Sequence, residues 1–247
     1  MATVTLLETN GLSRRFGGLK AVDGVDFRLD RGEIRAVIGP NGAGKTTFVS
    51  LVAGRVPPSE GSIRFEGEDV TRLPAHARVR RGIAYTFQIT SIFGNLSVFD
   101  NVALAVQSAL AKEAGFGARL DEAEIRGRTM TALDLTGLAA RADQPAGTLA
   151  YGHQRLVEVA MGLGLAPKLL ILDEPTQGLS DPEIADFIGL VRTIAETATV
   201  MLIEHNMAVV MDLATRITVL DRGRILAEGT PAEIRADARV QHAYLGT

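Results

Sequence analysis

Two clusters in this chain have the residue types and spacing to handle a polyphosphate. Gly39, Pro40, Asn41, Gly42, Ala43, Gly44, Lys45, Thr46 and Thr47 fit the pattern G-x-x-x-x-G-K-[ST], between the apolar run Ile34 to Ile38 and the helical stretch Thr46 to Ala53. In that setting the three glycines let backbone N–H groups turn toward an anion, Lys45 can reach the β and γ phosphates, and the Thr46 hydroxyl can bind Mg²⁺. The apolar run Leu169 to Leu172 then delivers Asp173 and Glu174 at its C-terminal end, where an open parallel sheet places its ligands. Asp173 is positioned to hold Mg²⁺ through water, and Glu174, on the other side of the pleat, to polarise an attacking water. The loop alone fits a kinase, a GTPase or a motor equally well, and the carboxylate pair narrows it to NTP hydrolysis. No Asn-Lys-x-Asp segment of the guanine-specific kind occurs in the chain, so adenine is favoured.

The elements that must position these groups alternate between strand and helix. Val4 to Glu8 and Ala21 to Leu29 read as strands, the second alternating Val25, Phe27 and Leu29 with Asp26, Arg28 and Asp30, which predicts one wet face. Glu33 to Ile38 is near-continuously apolar and suits a strand covered on both faces. Gly61 to Phe65, Ile83 to Phe87 and Val200 to Ile203 are further short strands, and Ile217 to Leu220 with Arg224 to Ala227 make a hairpin around Arg222 and Gly223. From about Ser97 to Thr148 the pattern turns helical, with Val98, Val102, Leu104 and Ala105 on one segment and Ile125, Met130, Leu133 and Leu138 on another. Breaks at Gly115 to Gly117 and Gln144 to Gly147 predict two or three helices there. Tyr151 to Leu165 and Glu183 to Glu196 read as helices, the latter with Ile184, Phe187, Ile188, Val191, Ile194 and Ala195 on one face, and Pro231 to Leu245 as two short ones.

Composition sets the outer bounds. With 247 residues, 46% of them hydrophobic, the chain can bury a large α/β core, and no internal repeat is visible. A net charge of −3 supplies no general attraction to nucleic acid, so none is expected as a partner. The absence of cysteine rules out disulfides and thiolate metal sites and fits a reducing cytosol. His76, His153, His205 and His242 are scattered rather than set at metal-ligand spacing. No signal-peptide pattern opens the sequence, and no apolar run approaches the roughly 18 residues of a membrane span.

With these motifs placed, the order of segments resembles the ATP-binding subunit of ABC transporters over almost the whole chain. The resemblance implies a P-loop NTPase α/β core with a mostly parallel central sheet, an N-terminal antiparallel β subdomain and a helical insertion. It makes residues 1–247 a single ABC ATPase domain, with 1–96 and 149–247 as the core and about 97–148 as the insertion. It further implies that Phe16 stacks on adenine, that Gln88 reaches Mg²⁺ and moves with the transport subunit, and that His205 contacts the γ-phosphate and orients the water. Lys45, Glu174 and His205 are then the catalytic set, with Thr46, Gln88 and Asp173 at the metal.

Leu149 to Gln154 stands where the family carries a Leu-Ser-Gly-Gly-Gln signature and departs from it, with Ala150 for the serine, Tyr151 for the first glycine and His153 for the glutamine. The lost hydroxyl removes a hydrogen bond to a charged group worth about 1.5 to 3 kcal/mol. The Gly152 N–H and the positive helix end remain to face the anion, so a weakened but usable signature is expected. Gln177 to Ser180 stands at the D-loop, with Ser180 in place of the usual Asp unless Asp181 serves after a one-residue slip. Within the family, Ile203 to Met207, the Tyr151-Gly152 pair and the ending Ala243 to Gly246 look like the branched-chain amino-acid importer type, which also handles urea, short amides and other small metabolites.

The resemblance implies ATP and Mg²⁺ as cofactors, and a second ATPase subunit, the same or a sibling, since one P-loop meets the other chain's signature in a head-to-tail dimer. It also implies transmembrane permease subunits, a solute-binding protein acting indirectly, and a peripheral location on the cytoplasmic side of the bacterial inner membrane. Helix 97–110 with Ile89, Ile92, Phe93 and Leu96 is expected to form the groove for a permease helix. The competing readings are an ATPase of an ABC exporter for lipid or another substrate, and a soluble regulatory ABC ATPase.

Overall fold

The computed structural model describes residues 4–86, 91–115 and 119–245, and in it the two kinds of strand patterning go to two different sheets. The chain runs through β1 (Thr5–Phe16), β2 (Leu19–Asp30), β3 (Ile34–Ile38), α1 (Lys45–Val52), β4 (Glu60–Phe65), β5 (Glu68–Asp69), α2 (Ala75–Val79) and β6 (Ile83–Tyr85). It continues with α3 (Val98–Ala114), α4 (Glu122–Leu135), α5 (Tyr151–Gly164), β7 (Leu169–Asp173), α6 (Asp181–Ala195), β8 (Thr199–Ile203), α7 (Met207–Leu213), β9 (Arg216–Asp221), β10 (Arg224–Gly229), α8 (Pro231–Ala236) and α9 (Ala238–Leu245).

The strand that alternates, β2, lies in an antiparallel sheet of order β2-β1-β4-β5, its Val25, Phe27 and Leu29 buried and its Asp26 and Arg28 exposed. The uniformly apolar β3, β7 and β8 are buried at every position and lie in a second sheet, of order β10-β9-β3-β8-β7-β6. Its inner neighbours are parallel, as full burial on both faces requires, and only β10 runs antiparallel at one edge. The helix α1 is sandwiched between the sheets, where Phe48 meets Phe27 of β2 edge to face at 5.2 Å.

Helices α3, α4 and α5 share a separate core of Val98, Val102, Val106, Leu110, Leu133, Val157 and Ala160. The inward face of α3 therefore steps by four residues from Val98, and Leu104, read with Val98 and Val102 as one apolar group, is instead 43% exposed. Strand β1 outruns its expected end at Glu8 because Gly11, at φ +56°, takes a bulge and the pairing with β2 resumes at Leu12. The short helices α2 and α7 escape a reading by periodicity, being too brief to show a face.

Arg78 of α2 is 1% exposed and makes no salt bridge to a carboxylate among the described residues. Its guanidinium donates instead to the carbonyls of Leu51 and Val52 at 2.7 Å each, and to those of Leu73 and Thr71 at 3.0 Å each. Two of these are terminal carbonyls of α1, at the negative end of the helix that begins in the P-loop. Burial lowers its pKa only to about 10, so the group stays charged at neutral pH. Arg78→Met keeps the aliphatic stem and removes all four donations, leaving the Leu51 carbonyl its bond from the Gly54 N–H at 3.2 Å; the unfolding free energy in urea is expected to fall by about 1–3 kcal/mol.

Candidate nucleotide site

The loop between β3 and α1 is pressed against neighbouring backbone so closely that side chains are excluded from both its ends. A Cβ on Gly39, at φ +152°, would lie 2.1 Å from the Leu220 carbonyl oxygen of β9. One on Gly44, at φ +98°, would lie 2.2 Å from that of Ala21 in β2. Gly44 caps α1 without any side-chain hydrogen bond and the first turn holds no acidic residue, so the first helical N–H groups and the positive end of the dipole are left for an anion. Lys45 folds back along the loop, its Nζ donating to the Gly39 carbonyl at 2.7 Å and the Pro40 carbonyl at 3.0 Å. Burial lowers its pKa, and the carboxylates of Glu174 and Asp173 oppose that shift, which brings all three groups into one electrostatic neighbourhood.

Asp173 ends β7 at 1% exposure. Its Oδ2 accepts a 2.6 Å hydrogen bond from the Tyr85 hydroxyl of β6, while Oδ1 is buried without a hydrogen-bond partner among the described residues. Burial raises the carboxyl pKa, the Tyr85 bond lowers it, and Glu174 raises it again. An orphaned, buried carboxylate oxygen is a hard oxygen donor of the kind a divalent cation takes. At Glu174 the chain leaves the strand in the left-handed region, φ +49°, with its N–H donating to the Ile203 carbonyl at 2.8 Å. Such a conformation costs a non-glycine residue about 1–3 kcal/mol and recurs where a side chain must be aimed.

His205 follows β8, its side chain 64% exposed. Phe16, at the end of β1, is 47% exposed, with the Arg14 guanidinium 4.6 Å from its ring centroid. Gln88 lies outside the described residues.

The signature residues gather elsewhere. Ala150 caps α5 without a side-chain bond, as the missing hydroxyl dictates. Tyr151 lies against Gly178, where an added Cβ would come within 3.0 Å of its ring, and Gly152 lies against Leu179 and Glu183, at 2.8 and 3.1 Å from its own would-be Cβ. Residues 151–152 thus pack on 178–183 while Lys45 faces Asp173 and Glu174. Ser180 begins α6, its N–H and hydroxyl both donating to the Glu183 carboxylate at 2.8 and 2.7 Å. This gives Ser180 a helix-capping task whichever residue serves the D-loop.

No motif in the sequence marks Tyr85 or Glu204 as part of the site. The signal for Tyr85 is a matter of topology: β6 and β7 pair in parallel with Tyr85 opposite Ile171, so its hydroxyl extends to the end of β7.

The family model described as ABC transporter matches residues 22–177, and one described as branched-chain amino acid ATP-binding cassette transporter matches residues 224–247. The high-affinity branched-chain amino acid transport ATP-binding protein BraF of Pseudomonas aeruginosa is 38% identical over 98% of both chains. LivG of Escherichia coli strain K12, of the same description, is also 38% identical over 98% of both. The lipopolysaccharide export system ATP-binding protein LptB of the same strain is 34% identical over 100% of this chain and 98% of its own. Among solved structures, the ADP conformation of MJ1267, an ATP-binding cassette of an ABC transporter, superposes with a TM-score of 0.87 at 28% identity, covering 99% of this chain and 100% of that one. A P-loop, a carboxylate-tipped strand and end-to-end likeness to these cassettes converge on one assignment: the chain belongs to the ATP-binding, ATP-hydrolysing family of ABC transporters.

Proposed function

We propose that this subunit powers an importer of branched-chain amino acids or a related small polar metabolite. It acts as one of two ATPase subunits that close head to tail beneath transmembrane permease subunits. The observation that carries the substrate class is the match of residues 224–247 to the branched-chain amino acid cassette family, a stretch that contains none of the shared hydrolytic motifs. The export reading, represented by LptB, has the lower identity, 34% against 38%. The site is peripheral, on the cytoplasmic face of the bacterial inner membrane, and no helix of the described residues is long and apolar enough to cross a membrane. A solute-binding protein delivers the substrate.

In this reading Phe16 offers adenine the ring face that Arg14 does not cover, the loop amides of residues 39–47 cradle the phosphates, and Lys45 turns from the loop carbonyls to the β and γ phosphates. Thr46, Asp173 and Gln88 would hold Mg²⁺, which when bound would supply positive charge against the phosphoryl oxygens. Glu174 takes the proton of the attacking water and His205 fixes the water against the γ-phosphate. Residues 150–153 of the second subunit cover the nucleotide, so closure completes the site and hydrolysis releases it. Reconstitution with its copurifying permease and solute-binding subunits is expected to give ATP-dependent uptake of labelled leucine, isoleucine or valine. Uptake confined to urea or short amides redirects the substrate, and ATP-driven efflux overturns the import reading.

Two smaller expectations follow. Tyr85→Phe frees Asp173 to rotate, and the Mg²⁺ concentration for half-maximal nucleotide binding should rise about tenfold, read by a fluorescent ATP analogue titrated with Mg²⁺. The docking of the permease is assigned to the segment after Gln88. The Ser91 N–H is held by Glu158 of α5 at 2.5 Å, and the Phe93 backbone by Asn101 of α3 at 2.8 and 3.1 Å. That presents the Phe93 ring outward at 55% exposure with Leu96 at 37%, while Ser91, two residues before Phe93, lines a mainly apolar groove of about 240 Å³ with Ala53, Tyr85, Ala105 and Met161. Ile92, expected in the same groove, turns inward to the core of α3–α5, and Ile89 lies outside the described residues. Phe93→Glu is expected to lose membrane recruitment and coupled transport by tenfold or more, with ATP binding by the isolated subunit unchanged.

A further inference from the structure

The last hydrogen bond joining β7 to β8 is the one from the Glu174 N–H to the Ile203 carbonyl. Beyond it the chain enters two loops, one following Glu174 and one carrying His205, and no strand ladder sets their separation. Among the described residues, one buried carboxylate bridges them. Glu204 is 1% exposed. Its Oε1 accepts the Thr176 N–H at 3.1 Å and the Thr176 hydroxyl, and its Oε2 accepts the N–H groups of His205 at 2.9 Å and Asn206 at 3.0 Å. Each oxygen therefore serves one loop, and four donors compensate a buried negative charge to which no lysine or arginine is paired among the described residues.

The arrangement goes beyond satisfying a buried group. His205 stands largely in solvent, its side chain 64% exposed and its Nδ1 3.9 Å from Glu204 Oε2, so the direction of the imidazole depends on how its backbone is held. That backbone is fixed on one side by Glu204 and on the other by Asn206, whose side chain caps α7 through the N–H groups of Ala208 and Val209. Thr176, two residues beyond Glu174, is 6% exposed and fixes the opposite loop. A shift of this clamp changes the distance between Glu174 and His205 without touching the P-loop.

We propose that Glu204 is a positioning residue of ATP hydrolysis, clamping the loop that follows Glu174 to the loop that carries His205 and so setting the spacing of the two groups around the attacking water. The proposal rests on the roles assigned above to Glu174 and His205. Glu204→Gln keeps the shape and replaces one acceptor oxygen by an NH₂ that faces donors, which opens one side of the clamp. Thr176→Val removes a single hydroxyl and is the gentler variant.

In the assembled transporter, kcat is expected to fall by roughly tenfold to a hundredfold for Glu204→Gln and by about threefold for Thr176→Val. KM for ATP and affinity for a fluorescent ATP analogue should stay within about twofold of the parent. In a His205→Ala background, single-turnover measurements should show less than about twofold further loss from either change, because the clamp acts through the histidine. Losses that multiply in full, or a Thr176→Val protein with parental kcat beside a folded Glu204→Gln that also turns over normally, overturn the clamp. His205→Ala is measured alone as well. Parental turnover there removes the histidine from hydrolysis and the reading beneath the proposal, whereas a large loss there with normal turnover in both clamp variants removes the clamp alone.

Discussion

Glu174→Gln is expected to lower ATP turnover by about 10²- to 10⁴-fold while leaving nucleotide affinity near its wild-type value. The substitution keeps the length and shape of the side chain and removes only the capacity to take a proton. The left-handed turn at φ +49° and the N–H bond to Ile203 are backbone features that glutamine reproduces. Asp173, one residue earlier, is buried and committed to the Tyr85 hydroxyl, so it cannot swing round to replace the missing base. Lys45 loses one opposing charge but retains that of Asp173 and its two carbonyl contacts, which is why binding survives. If hydrolysis is what reopens the closed pair, the variant should also accumulate as a dimer in the presence of ATP, visible by size-exclusion chromatography. Phosphate release at the parental rate would take Glu174 out of its role and leave the ATPase activity to another group.

What could be read from residue order alone was the part of the site in which chemistry and secondary structure coincide. A buried strand, a glycine loop and a helix lie contiguously at residues 34–52, and the apolar run 169–173 carries its carboxylates at its own tip. Tyr85 and Glu204 escaped because their meaning lies between elements. Tyr85 acquires a partner only once β6 is known to lie beside β7, and Glu204 only once two loops are known to turn toward each other. An apolar count places Ile92 and Phe93 together, yet their side chains part, since Asn101 fixes the backbone between them and one ring must face out. The D-loop shows the same limit from the other side: Ser180 looks like a lost aspartate by position, while its bonds to Glu183 give it local work as a cap.

Lys45→Met should weaken ATP binding by about 10- to 150-fold, the loss of one charge-assisted bond to the phosphates. The loss should be smaller for ADP and negligible for AMP, because the ammonium reaches only the β and γ positions. The loop itself should stay intact, since its path is held by the close approach of Gly39 to Leu220 and of Gly44 to Ala21 rather than by the lysine. Arginine is expected to be no substitute: a planar fork matches neither the two carbonyls that now receive Nζ, 2.7 and 3.0 Å away, nor the narrow floor of a loop closed by backbone at both ends. The pH dependence supplies an independent check. Burial lowers the pKa of Lys45, so the charge that attracts phosphate is complete below that lowered value and is lost as pH rises through it. Affinity for ATP in the wild type should therefore begin to fall at a pH below the ordinary lysine range, and in Lys45→Met that alkaline fall should be absent. Equilibrium titrations with a fluorescent ATP analogue across the alkaline range separate the two curves; a fall that persists in the methionine variant assigns the titration to another group.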